Sequence, residues 1–142
     1  MMVVDANVAA KWYLPEADSP KALALLGNPD QLLAPSLIKM EVCAAITRRV
    51  RLKEITADEA KEHCDEWFMD LREDAVQLVP EENILAQAIE LSVKIHHPLQ
   101  DCLYLAVATI HRAPLITADE PFFKKAVGHH PYIYLLSKWR TN

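Results

Sequence analysis

Apolar residues along this chain fall into two rhythms that alternate from one end to the other. Short apolar runs, Met2-Val3-Val4, Gln31 to Ala34, Val76 to Val79, Leu115-Ile116-Thr117 and Tyr132 to Leu136, read as buried strands. Between them lie stretches with apolar positions three or four apart, which read as helices, and Ile84, Ala88, Leu91 and Ile95 show that spacing most plainly. Local signals agree with the pattern. Ser19-Pro20 caps and opens a short helix to about Gly27, Pro35-Ser36 starts a long one from Leu37 to about Leu52, and Thr56-Ala57-Asp58-Glu59 is a capping box heading a helix to about Arg72. The stretch Val8 to Leu14 is helical in pattern and is stopped by Pro15, Leu103 to Ile110 is ended by Pro114, and a short helix is expected from Phe122 to Val127. Strands that alternate with helices predict an α/β fold: a single domain over residues 1–142, built as a three-layer sandwich with a parallel sheet of four to five strands flanked by about seven helices.

Composition narrows this picture. A chain of 142 residues holds one domain with a substantial core. Its 15 Lys and Arg against 20 Asp and Glu leave a net charge of -5, so a polyanion partner needs a local basic patch or bound cations. No apolar run is long enough to span a membrane and no basic segment leads into one, so no membrane association is expected and a cytoplasmic protein is. Cys43, Cys64 and Cys102 lack metal-ligand spacing and read as reduced core residues. With only two glycines, each alone, the chain lacks a P-loop, a dinucleotide-binding turn and a G-x-S-x-G nucleophile elbow.

Four acids stand out against this background. Asp5 ends the first strand, where acids are depleted. Asp101 opens the apolar Leu103 to Ile110 helix, and Asp119 follows the strand after that helix. A helix runs antiparallel to the strand it precedes, so Asp101 and Asp119 are expected to meet at the carboxyl edge of the sheet, where ligands of open α/β sheets bind. Glu41 falls in the second turn of the Leu37 helix, which starts at the same edge; no cation stands three or four positions from it on that helix, and Arg48 is the nearest on its face. Each acid alone has a plain structural reading, Asp101 as a helix-start dipole partner and Asp119 as a turn residue. Together they form a cluster whose members repel by roughly 4 kcal/mol per pair at 4 Å and an effective dielectric of 20, and which therefore needs protons or a cation. All-oxygen donors favour Mg²⁺ or Mn²⁺ over zinc, and an acid-lined site of that kind suits phosphoryl chemistry. His97 lies four residues before Asp101, but no histidine shows a zinc-motif context.

The segments VVDANVAAKWYLPE, LLAPSLIKMEVCAAITRRVR, QDCLYLAVA and APLITADEPF, in this order and at these separations, resemble the PIN-domain nucleases, in particular the VapC-type ribonuclease toxins of prokaryotic toxin-antitoxin pairs. The resemblance implies a divalent-metal-dependent endoribonuclease whose metal-binding and catalytic acids are Asp5, Glu41, Asp101 and Asp119, with Asn7 and Thr117 supporting them. It further implies an RNA substrate, a cognate antitoxin that blocks the groove, and a homodimer. RNA rather than DNA follows from the resemblance alone, because metal-driven hydrolysis makes no use of the 2′-OH.

For substrate contact the basic run around Arg48, Arg49 and Arg51 is the densest in the chain, and Lys11 is a further candidate; the competing reading is a solvated helix end. Trp12, Tyr13, Trp67 and Tyr104 can stack on bases or fill the core. Two other functions stay open at this level: a non-catalytic interaction module of the same fold, and a Mg²⁺-dependent phosphatase or phosphoacceptor. The latter is disfavoured because Asn7 stands where a haloacid-dehalogenase-type site carries a second Asp.

Overall fold

The computed structural model describes residues 1–140. Five strands, β1 (Met2–Val4), β2 (Leu32–Pro35), β3 (Gln77–Val79), β4 (Leu115–Thr117) and β5 (Ile133–Leu135), form one sheet in the order β3-β2-β1-β4-β5, and every neighbouring pair is parallel. The seven helices are α1 (Ala6–Ala9), α2 (Ser19–Leu26), α3 (Ile38–Arg51), α4 (Ala57–Arg72), α5 (Leu85–Ile95), α6 (Leu99–His111) and α7 (Glu120–Ala126). Every residue of β1, β2 and β4 is buried. Successive strand residues point to opposite faces, so both faces of the central sheet are covered, as the unbroken apolar runs required. The predicted α/β sandwich with a parallel sheet is the observed one.

The chain lays β2 and β3 on one side of β1, then crosses to place β4 and β5 on the other. The strand order therefore reverses between β1 and β4, and the carboxyl ends of those two strands flank the crevice that such a reversal creates. Helix α6 packs on β1, β2 and β4 beneath it, and Cys102 through Ala108 are all buried.

Boundaries shift where local chemistry competes with pattern. The predicted Val8 to Leu14 helix is a single turn, α1, followed by a 3₁₀ turn over Ala10–Trp12. Ser19 lies inside α2 rather than capping it; its hydroxyl accepts from the Glu16 N–H and donates to the Leu14 carbonyl, while Asp18 takes the N-cap position. Helix α6 starts at Leu99, after Pro98, well before the apolar run that announced it. The Thr56 capping box forms as expected, with both of its hydrogen bonds. Trp12, Tyr13, Trp67 and Tyr104 are all buried, which settles the aromatics in favour of the core. All three cysteines are free thiols; Cys102 is fully buried, whereas Cys43 and Cys64 are only half-buried.

Candidate metal centre

Four helices begin at the carboxyl edge of the sheet, and each carries one of the predicted acids at its start. Asp5 occupies the N-cap position of α1 directly after β1, Glu41 and Asp101 lie in the first turns of α3 and α6, and Asp119 caps α7 by accepting from the Phe122 N–H at 3.0 Å. Glu41 falls in the first turn rather than the second, because α3 starts at Ile38, one residue after Leu37. Helix starts present unpaired N–H groups and the positive end of the helix dipole, which offsets part of the repulsion among the acids.

Short side-chain bridges fix the acids in place. Thr117 at the end of β4 donates its hydroxyl to Asp5 Oδ2 at 2.8 Å, and the same hydroxyl accepts from the Asp119 N–H at 3.1 Å. Asn7 donates to Asp5 Oδ2 at 3.3 Å while its carbonyl oxygen accepts from the Ala118 N–H at 3.0 Å. Asn7 and Thr117 thus tie the end of β1 to the end of β4 across the reversal point. Glu41 accepts from the buried Tyr104 hydroxyl at 2.7 Å; Arg48, the nearest cation on its helical face, makes no ion pair among the described residues.

Burial pushes the Asp5 carboxyl up to about 7, against the Thr117 hydrogen bond that opposes it and with the charges of Asp101 and Glu41 adding to it. Burial also raises Glu41, which the Tyr104 bond moderates and the Asp101 charge increases. Asp101 is raised in the same way by burial, with His97 opposing and the Asp119 charge adding. Asp101 is therefore the electrostatic centre: its charge is felt at Asp5 and Glu41, and it feels Asp119. Among the described residues no Lys or Arg pairs with any of the four. Asp5, Glu41 and Asp101, with raised proton affinity and no Lys or Arg partner, are oxygen donors of the kind a hard divalent ion takes. The residues fit Mg²⁺ or Mn²⁺.

One member of the site was not chosen from the sequence. His97, with its side chain 8% exposed, places Nε2 2.6 Å from Asp101 Oδ2 and stacks its ring on Phe122 at 4.9 Å. Its Nδ1 is buried without a hydrogen-bond partner. The tautomer that carries the hydrogen on Nε2 orphans no buried N–H, and in it His97 donates to Asp101. Donor atoms of His97, Asp101 and Asp119 all lie within 4.8 Å of one another, so a ring nitrogen lines the site beside the oxygens. The signal was the spacing: His97 and Tyr104 stand four before and three after Asp101, on its own helical face.

The proposed substrate contacts stand apart from this cluster. Lys11 is paired with Glu16 and, at 3.1 Å, with Asp18; Arg49 is paired with Glu16 and, at 3.0 Å, with Glu54. Arg48 and Arg51 are exposed at the far end of α3, about 10 to 15 Å along the helix axis from Glu41.

This acid-lined crevice at the reversal point of a five-stranded parallel sheet belongs to a recognised class: residues 2–128 match the PIN domain model, and the chain is a member of the PIN domain family. No curated protein sequence matches it. Among solved structures, one similar chain comes from a toxin-antitoxin complex of Klebsiella pneumoniae, superposing with a TM-score of 0.70 over 96% of this chain and 98% of that one at 19% sequence identity. At that identity the likeness is one of fold.

Proposed function

We propose that this chain is a divalent-metal-dependent endoribonuclease that hydrolyses RNA phosphodiester bonds in the cytoplasm as the toxin of a type II toxin-antitoxin pair. One observation carries the reading: Asp5, Glu41, Asp101 and Asp119 all lie at helix starts on one edge of the sheet with no Lys or Arg among the described residues paired to them, and Asp101 and Asp119 come within ligand distance of each other and of His97. Membership of the PIN domain family supports nuclease chemistry, and the fold shared with a chain of a toxin-antitoxin complex supports an antitoxin partner. RNA as substrate and a homodimer follow from the family resemblance.

The four carboxylates hold Mg²⁺ or Mn²⁺, which when bound neutralises the phosphate and lowers the pKa of the attacking water. The charge of Asp101 raises the proton affinity of both Asp5 and Glu41, and the charge of Asp119 raises that of Asp101. Thr117 and Asn7 fix the rotamer of Asp5, Tyr104 fixes Glu41, and His97 fixes Asp101, so the donors are pre-positioned before any ion arrives. The exposed Arg48 end of α3, about 10 Å along the helix from Glu41, contributes phosphate contacts away from the acids.

Cleavage of an end-labelled single-stranded RNA with Mg²⁺ is expected to stop in EDTA and to fall more than about a hundred-fold in Asp101→Asn. Equal rates under all three conditions would end the proposal. The same assay on single-stranded DNA separates substrate preference from chemistry.

A further inference from the structure

At the opposite end of α6 from Asp101 the chain forms a second concavity, and neither the family nor the acid cluster accounts for it. It is a cavity of about 550 Å³, bounded by Thr109 and Arg112 at the end of α6, by His129 and Tyr132 before β5, and by Tyr134 and Trp139. Its volume lies in the range that holds a small planar ligand. Tyr132 and Tyr134 are 52% and 39% exposed, whereas Trp12, Tyr13, Trp67, Tyr104 and Phe122 are buried in the core. Tyr134 and Trp139 meet edge to face at 5.1 Å, and Tyr132 stands edge-on to the buried His130 at 6.1 Å. The indole Nε1 of Trp139 is buried without an acceptor among the described residues. Arg112 is exposed and makes no ion pair among the described residues.

Exposed tyrosine rings beside an unpaired guanidinium match a ligand with a flat aromatic ring and a negative charge next to it. A nucleotide has both, whereas an acidic peptide would use the guanidinium and leave the rings uncovered. Along the axis of α6, Arg112 lies about 16 Å from Asp101, a distance that a few nucleotides of single strand cover. We propose that this cavity is a nucleobase site, taking one unstacked base of a single-stranded RNA against Tyr134, Trp139 and Tyr132 with Arg112 on the adjoining phosphate. The proposal rests on RNA as the substrate of the acid site, and it explains how a net-negative chain grips a polyanion away from its acidic crevice.

The test uses the whole chain in EDTA, where RNA is bound but not cut. The indole N–H resonance of Trp139, identified by its loss in Trp139→Phe, is expected to move when a single-stranded oligoribonucleotide of about ten nucleotides is added. Fluorescence anisotropy is expected to show that Tyr134→Ala and Arg112→Gln each weaken that oligonucleotide by about five- to a hundred-fold, with binding of a dinucleotide unchanged. An unmoved Trp139 resonance, or variants that bind the long oligonucleotide like the wild type, would overturn the proposal. So would displacement by polyglutamate as effective as by RNA, or a nucleoside monophosphate binding as tightly as the oligonucleotide, which would give the cavity to a free nucleotide. If the resonance and both variants behave as expected but Mg²⁺ produces no cleavage, the nuclease reading fails while the cavity assignment stands. Circular dichroism of Arg112→Gln, an exposed position, guards against misfolding as the cause of lost binding.

Discussion

The two ends of α6 show opposite ways of building a site. At its start, Asp101 and Tyr104 join acids from three other helices in a crevice where burial and like charge raise proton affinity, and every acid is fixed by a named hydrogen bond. At its end, Arg112 borders a cavity of exposed aromatics with few hydrogen bonds and a buried indole lacking an acceptor. The first end stores electrostatic tension that a bound cation would relieve. The second keeps open surface that a ring can cover. The same helix is thus rigidly determined where chemistry is placed and loosely determined where a flexible strand is held.

The largest expected effect tests the stored tension. Asp5 has an ordinary carboxyl pKa near 3.8 when unfolded and about 7 when folded, so the folded state binds more protons between those values. The stability of the metal-free protein should therefore be greatest, as far as Asp5 is concerned, below its unfolded pKa and be lost as pH rises through 7. Its share amounts to about 4 kcal/mol at most. Asp5→Asn should remove that slope, so that thermal melts in EDTA between pH 4.5 and 8 give the variant the higher melting temperature at the alkaline end. A variant that melts below the wild type at pH 8 would show that Asp5 is not under strain.

Next in size is the donor from His97. His97→Ala frees one oxygen of Asp101 and removes a ring from against Phe122, whereas His97→Gln keeps a donor of similar reach. Mn²⁺ affinity by calorimetry should fall about ten- to a hundred-fold in the alanine variant and recover in part with glutamine. Equal affinity in all three proteins would reduce His97 to packing. Tyr104→Phe should then cost about 1 to 2 kcal/mol in denaturant melts, because half-buried Glu41 loses its donor. No such loss is expected at the other end of α6 from Tyr132→Phe, whose hydroxyl makes no hydrogen bond among the described side chains.

The contrast between the ends also explains what could be read from the chain. The strand runs, the capping box at Thr56 and the acids at Asp5 and Asp119 are local signals, carried by residue types that are costly in the wrong place, so they survive without coordinates. Helix starts moved by a turn or less, as at Glu41, because the first turn of α3 is decided by backbone geometry after Pro35 rather than by periodicity. Same-face spacing offered Glu41 only Arg48, whereas the group that bonds it, Tyr104, comes from another helix. His97 was visible as spacing but lacked a motif, and a histidine has too many uses for spacing to select one. The aromatic cavity was invisible because Tyr132, Tyr134 and Trp139 have nothing in sequence to distinguish an open ring from a packed one.

The smallest effect gives the sharpest comparison, because it sets stability against binding at one residue. Only two glycines occur in the chain, and α6 ends on Arg112 in the left-handed region at φ 51, with its N–H donating to the Thr109 carbonyl at 3.3 Å. A side chain there costs about 1 kcal/mol relative to glycine, which is the usual residue at such a helix end. If Arg112 were only a helix terminator, Arg112→Gly would raise stability in urea melts by up to about 1 kcal/mol and leave RNA binding unchanged. If the guanidinium holds phosphate, the same substitution should raise stability and weaken the oligonucleotide together, and the slope of binding against salt should fall by about one phosphate contact. Opposite movement of the two measurements on one variant is what a residue retained for binding, at a cost to its own helix, requires.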